Sequence, residues 1–427
     1  MVKSLVSIAC VCDYDRMEQF HSFSILICIA AVCAWTNHRF IRLPAAIGVM
    51  VVGLLFSLGV IALGSLGVVD VDRVARFVVA LDFQNLVLHV MLAFLLFAGG
   101  LTVNIEDLRS YGWTVAILST FGVVIGACVT GALFWAALAL LGIEIPFLVA
   151  LVFGAIASPT DAVAVLGILR KVGAPKSLEV KLVGESLFND GIGVVVFLSI
   201  VSIAFGEGTS PTHVGLMLLA EVFGGAVLGV LLGWAAYSLI RAVDGYAVEA
   251  LVTLALAAGG YSLAEIMHVS APICVVVAGL LIGNRGRAFA MSEKTREHID
   301  TFWELVDELL NVILFVFVGL EILTLSVTGH FLAAGACAVI AMVVSRFVTV
   351  GGIVSVLRPF SDFSPHAVKI LVWGGLRGGI SVALALSLPA VESRELLVVC
   401  TYCAVLFSVL VQGSTLPRLL RRTAIQK

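Results

Sequence analysis

The chain has 427 residues, of which 61% are apolar and only 12% charged, against roughly 45–50% and about 25% in a soluble domain. Its apolar residues fall in uncharged runs of about 18 or more, which excludes a soluble globular fold and also a β-barrel, whose strands alternate apolar and polar positions over about ten residues. A formal net charge of −3, from 25 basic and 28 acidic side chains, leaves no excess that would suggest nucleic acid as a partner.

The expected fold class is therefore an all-α polytopic membrane protein. Residues 1–19, with Asp13, Asp15, Arg16 and Glu18, read as a short extramembrane tail. Apolar runs between charged, Gly or Pro breaks predict about 13 transmembrane helices, near 20–36, 43–63, 84–103, 112–141, 146–170, 179–205, 214–241, 247–268, 272–284, 303–324, 329–357, 367–388 and 395–417. Between the ninth and tenth, the charged stretch Asn284 to Asp300 reads as an amphipathic helix on the membrane surface. Most of the nine cysteines lie inside apolar runs, where a thiol packs as a small hydrophobe. The pair Cys400-x-x-Cys403 sits in such a run without a second ligand pair, so no disulfide framework is expected.

An odd number of spans puts the termini on opposite sides, and the basic residues choose between the two orientations. With the C-terminus inside, 18 Lys and Arg, among them Arg109, Lys176, Lys181, Arg241, Arg358 and Arg418, fall on the cytoplasmic side, and five fall outside: Lys3, Arg16, Arg73, Arg76 and Arg394. That asymmetry is the one cytoplasmic loops carry. The expected location is the cell inner (plasma) membrane, with the basic tail 418–427 in the cytoplasm.

Two arginines remain inside spans, Arg346 and Arg377, and three acids join them: Asp161, Glu185 and Asp190. A charge in hydrocarbon costs a few kcal/mol or more unless paired or wetted, so each marks a functional site by default. Most of the five lie about ten residues, or roughly 15 Å, from the cytoplasmic end of their helix. Four helices thus bring charge to one level, as a single midplane site requires.

The sixth span reads Gly184-Glu185-Ser186-Leu187-Phe188-Asn189-Asp190-Gly191, and Glu185, Ser186, Asn189 and Asp190 share one helical face. In the fifth, Ser158-Pro159-Thr160-Asp161 carries a proline that breaks the helix and frees backbone carbonyls able to hold a cation. In the twelfth, Gly374-Gly375-Leu376-Arg377-Gly378-Gly379 is a second weak point. The breaks fall in the middle of two triplets, spans 4–6 (112–205) and 11–13 (329–417), of opposite orientation. This is the order of features in an inverted-repeat transporter whose two broken helices cross at the midplane.

These strings resemble cation:proton antiporter family 1, which includes bacterial NhaP-type sodium/proton antiporters and animal sodium/hydrogen exchangers. The match is carried by Ala157 to Asp161, Gly184 to Asp190, Phe317-Val318-Gly319-Leu320-Glu321 and Gly374 to Gly378. The resemblance implies that Asp190 is the main cation and proton ligand, with Asp161, Ser186 and the carbonyl of Thr160 completing an Na⁺ shell. It implies that Asn189 orients the site, that Glu185 pairs with Arg346, and that Arg377 serves the second broken helix. It also implies a homodimer built through helices outside the bundle: scaffold spans at 20–111 and 247–328, with 206–246 linking. Where some relatives carry a span-3 glutamate, this chain reads Phe97-Ala98-Gly99-Gly100.

Three buried acids and two arginines leave one negative charge, which a single Na⁺ or a single proton neutralises. Cation and proton are therefore expected to compete for Asp190, giving electroneutral one-for-one exchange of Na⁺ (or Li⁺) for H⁺ by alternating access, with no cofactor. A K⁺/H⁺ antiporter of the same fold is the nearest alternative. An intramembrane aspartyl protease also uses two embedded Asp residues, but no Gly-x-Gly-Asp string is present and the buried arginines would be idle. A cation channel fits poorly with broken helices and fixed countercharges. His89, inside the third span, reads as a packed neutral residue.

Overall fold

The computed structural model describes residues 21, 23–161, 165, 169, 176–206, 211–325, 329–361, 363, 364 and 366–424. The expected tail at 1–19 and the last three residues lie outside them. The helices, in chain order, are α1 (Phe23–Ile41), α2 (Ala45–Ser65), α3 (Val71–Ala80), α4 (Leu92–Thr102), α5 (Ile105–Leu140), α6 (Phe147–Ile156), α7 (Lys176–Phe205) and α8 (Pro211–Arg241). They continue with α9 (Tyr246–Ile266), α10 (Ala271–Leu281), α11 (Glu293–Leu320), α12 (Gly329–Leu357), α13 (Ala367–Gly374), α14 (Gly379–Leu386), α15 (Arg394–Phe407) and α16 (Ser414–Ala424).

Ten helical stretches among the described residues are long and apolar enough to cross a membrane. The other three expected spans take a different form. Two are interrupted, at α6 and at the pair α13/α14, and the third is α11, whose first half is charged. The separate surface helix expected over 284–300 does not form. Residues from Glu293 onward are the opening turns of α11 itself, because no Gly or Pro interrupts the chain from there to Val318.

Local sequence sets the helix starts. Asn104 caps α5, its side chain accepting from the amides of Glu106 (2.8 Å) and Asp107 (3.3 Å), and both acids sit in the positive first turn. Asp70 caps α3 through the Arg73 amide. Pro44 and Pro146 precede α2 and α6, and Pro272 opens α10, positions where a missing N–H costs nothing.

The chain divides into two compact units. One comprises residues 1–86 and 309–326. Within it α2 meets the end of α11 closely, the Ser57 hydroxyl donating to the Gly319 carbonyl at 2.9 Å, and Phe83 packs on Phe317 with ring centres 4.9 Å apart. Glu321 follows in a 3₁₀ turn, where its carboxylate accepts from Thr324 at 2.8 Å.

The other unit comprises 87–308 and 327–427. One apolar core in it joins α4, α8, α9, α10 and Trp303, with Phe97 and Trp303 rings 4.8 Å apart and the indole N–H bonded to Thr253. Ala98 is buried in that core. A second body of packing is organised on the 36-residue α5, which lies against α6, α7 and α12. Hydroxyls fasten it: Ser158 donates to the α5 carbonyl of Val123 at 3.2 Å and Ser345 to that of Gly126 at 3.1 Å. The seven described cysteines are free, Cys400 and Cys403 included.

Candidate cation site

Both expected helix breaks are present, and they touch. α6 stops at Ile156, α13 stops at Gly374, and α14 starts at Gly379. Between them Asp161 and Leu376 form an isolated antiparallel bridge, with the Asp161 amide donating to the Leu376 carbonyl at 2.7 Å. Two segments that cannot bond within their own helices thus bond to one another, which answers the demand that buried backbone groups be paired.

The carbonyls beside the Pro159 break are taken up differently from the sequence-based expectation. The Arg377 guanidinium donates through one nitrogen to both Ser158 and Pro159 carbonyls, the latter at 2.7 Å. These two oxygens lie just past the C-terminal, negative end of the α6 half-helix, so the guanidinium brings a positive charge to that end. The Thr160 carbonyl accepts from the Ser186 hydroxyl and keeps a second lone pair.

Thr160 and Asn189 are joined twice. The Thr160 amide donates to Asn189 Oδ1 at 3.2 Å, while Asn189 Nδ2 donates to Thr160 Oγ1 at 2.6 Å. This reciprocal pair brings α7 to the broken segment, so that the next residue on each side, Asp161 and Asp190, enter one neighbourhood. Asp161 and Arg377 both lie within electrostatic range of Asp190. Asp190 is 8% exposed and Asp161 is half-buried.

Glu185, almost wholly buried, forms a 2.7 Å ion pair with Arg346 of α12. Arg346 also reaches the Leu371 carbonyl at 3.4 Å. Two glycines of the second broken segment are approached closely by side chains. A Cβ at Gly375 would lie 2.7 Å from the Arg346 guanidinium, and one at Gly378 would lie 2.6 Å from Asp161 Oδ2.

All eight residues singled out from the sequence, Thr160, Asp161, Glu185, Ser186, Asn189, Asp190, Arg346 and Arg377, therefore gather around one crossing. Two features escaped the sequence reading. Lys181, read as a cytoplasmic-side charge, is 2% exposed, with its ammonium 4.0 Å from the Phe363 ring centre and 4.6 Å from that of Tyr111. Its signal was its place one helical turn before Glu185. Ser408 and Gln412, a polar pair at i, i+4 in an apolar span, are buried beside Arg377. His89 is not packed away: its side chain is 49% exposed, and its Nε2 lies 3.4 Å from Glu265 Oε1.

Chemically, the arrangement offers two carboxylates, a hydroxyl and a backbone carbonyl, the hard oxygen donors that monovalent cations take. Among the described residues no cluster of His, Cys, Asp and Glu suits a resident metal ion.

The family model described as "Sodium/hydrogen exchanger, transmembrane" matches residues 27–422. The Na⁺/H⁺ antiporter NhaP of Pseudomonas aeruginosa is 46% identical over 405 residues, covering 93% of this chain and 95% of the relative. NhaH of Halobacillus aidingensis, also a Na⁺/H⁺ antiporter, is 32% identical over 421 residues, or 96% of this chain and 100% of its own length. Among solved structures, the sodium proton antiporter MjNhaP1 from Methanocaldococcus jannaschii superposes with a TM-score of 0.72 at 20% identity, over 93% of this chain and 99% of that one, so the fold is shared. The chain is thus a multi-pass membrane transporter, not an enzyme, and belongs to the sodium/hydrogen exchanger family.

Proposed function

We propose that the protein exchanges Na⁺, or Li⁺, for H⁺ one for one, with cation and proton competing for Asp190. The observation that carries this reading is the crossing itself, where Asp161 is bonded to the second broken segment and lies, with Arg377, within electrostatic range of Asp190, next to the Thr160 carbonyl. In this reading Asp190 and Asp161 supply the charge, Ser186 and Thr160 supply neutral oxygens, and Asn189 fixes the loop. Glu185 and Arg346 cancel each other, and Arg377 offsets one of the two remaining acids. The surplus of one negative charge is met by one Na⁺ or one proton and is overfilled by both.

Exchange follows if the site opens to one side at a time, with bundles 112–205 and 329–417 moving as a body against scaffold helices that hold two copies together. The expected setting is the inner (plasma) membrane, with the C-terminus in the cytoplasm. The relatives named above as Na⁺/H⁺ antiporters support Na⁺ over K⁺ as the cation.

The test is cation-induced dequenching of a pH-sensitive dye in everted vesicles, with Na⁺, Li⁺ and K⁺ added separately. Dequenching by Na⁺ and Li⁺ that disappears in Asp190→Ala supports the reading. Dequenching by K⁺ alone would replace it with K⁺/H⁺ exchange.

A further inference from the structure

Beyond α15 the helix widens into a π turn, Ser408–Gly413. Such turns expel a residue from the regular ladder and often mark functional positions. Ser408 is 0% and Gln412 2% exposed. A buried serine or threonine in a helix ordinarily bonds back to its own preceding turn, as Thr401 does to the Leu397 carbonyl at 2.8 Å. Ser408 behaves otherwise. Its hydroxyl donates to Gln412 Oε1 at 2.7 Å and accepts from the backbone amide of Arg377 at 2.8 Å.

That amide lies in the unwound stretch between α13 and α14, where no helix ladder can take it. The Gln412 oxygen commits the Ser408 proton, which turns a serine lone pair toward Arg377. The residue so held reaches the cation site in two ways. Its guanidinium takes the Ser158 and Pro159 carbonyls, and the neighbouring Leu376 carbonyl receives the Asp161 amide. A second tie, Trp373 Nε1 to Thr415 Oγ1 at 2.8 Å, holds α13 just before the break.

We propose that Ser408 and Gln412 are positioning residues for the cation site, a hydrogen-bonded chain that fixes the backbone at Arg377 and so sets the place of Asp161. This rests on the exchange reading above. A role confined to folding would lower stability without changing the affinity of the surviving protein for Na⁺.

The experiment measures exchange in proteoliposomes for Ser408→Ala, Gln412→Leu and the double variant. Amide hydrogen exchange of the segment 375–379 is followed in the same samples. Loss of the acceptor at 408 is expected to raise the apparent KM for Na⁺ about five- to tenfold, as loss of one buried hydrogen bond allows, while the maximal rate stays within about threefold. Gln412→Leu is expected to give a smaller rise, about twofold, since the hydroxyl remains. The double variant is expected to match Ser408→Ala, because the two act in series. Faster exchange at 375–379 is expected wherever KM rises. An unchanged KM in both single variants, or fully additive effects, would overturn the proposal. Should Ser408→Ala not fold, Ser408→Cys, similar in size and a poor acceptor, takes its place. If the wild-type protein moves no Na⁺, the exchange reading fails; unaltered amide exchange in Ser408→Ala would still overturn the anchor, and accelerated exchange would still uphold it.

Discussion

The amide of Asp161 and the carbonyl of Leu376, 215 positions apart, share a 2.7 Å hydrogen bond that joins the two broken helices. Around it several departures from the helical ladder are matched by partners. Pro159 removes a helix bond, Arg377 takes the Ser158 and Pro159 carbonyls, and glycines at 375 and 378 let Arg346 and Asp161 approach the backbone. The local departures from helical rules therefore support one another.

Asn189 both donates to and accepts from Thr160, an exchange that a carboxylate repeats only in part. Asn189→Asp keeps the acceptor and adds a charge, raising the midplane surplus from one to two. Transport by this variant is expected to become electrogenic, with inward current under an applied potential where the wild type shows none. Current recordings on solid-supported membranes check this, and continued electroneutrality would count against the charge arithmetic.

In the Glu185–Arg346 pair the side chains are 1% and 11% exposed, and removing one partner strands the other. Glu185→Leu or Arg346→Met alone is expected to cost about 3–5 kcal/mol and to lower the yield of folded protein sharply. The double variant is expected to recover much of that loss, since no charge is left unpaired. Thermal unfolding of the three purified variants decides it: a double variant no better than the singles would mean that the pair acts as more than a mutual countercharge.

Just past the end of the α6 half-helix, Arg377 gives one guanidinium nitrogen to two carbonyls. Lysine keeps the charge but lacks the planar fork. Arg377→Lys is expected to fold and to exchange about tenfold more slowly, whereas Arg377→Gln, which leaves the dipole end without a cation, is expected to abolish exchange. Equal rates for wild type and the lysine variant would show that charge alone suffices there.

Gly375 faces the Arg346 guanidinium at a distance no Cβ tolerates. The side chain of Arg346 can yield, so Gly375→Ala is expected to fold, but with the Glu185 pair displaced and the exchange rate down about tenfold. A wild-type rate would place the pair outside the transport cycle.

How much of this was readable beforehand follows from the range of each interaction. Pro159 and the glycines at 374–379 announce breaks because they act on their own backbone, and they are where the helices stop. Shared depth put Asp161, Asp190, Arg346 and Arg377 near one level, and family resemblance paired Glu185 with Arg346. The partner of the freed carbonyls was not readable, since it depends on how two segments more than 200 positions apart cross. The burial of Lys181 was hidden for the same reason: its ammonium lies over the rings of Tyr111 and Phe363, from distant parts of the chain. His89 and the stretch after Asn284 were misread because apolar content says that a segment is helical or near the membrane, not which side of a helix faces its neighbours.

The most direct measurement is the null point of exchange in proteoliposomes with Na⁺, H⁺ and membrane potential set independently. If a single surplus charge is shared in turn, a tenfold Na⁺ gradient is balanced by one pH unit at every potential. A null point that shifts as the potential is stepped by about 59 mV, the tenfold equivalent for one charge, would mean that more than one proton moves per Na⁺ and that Asp190 is not the only shared group.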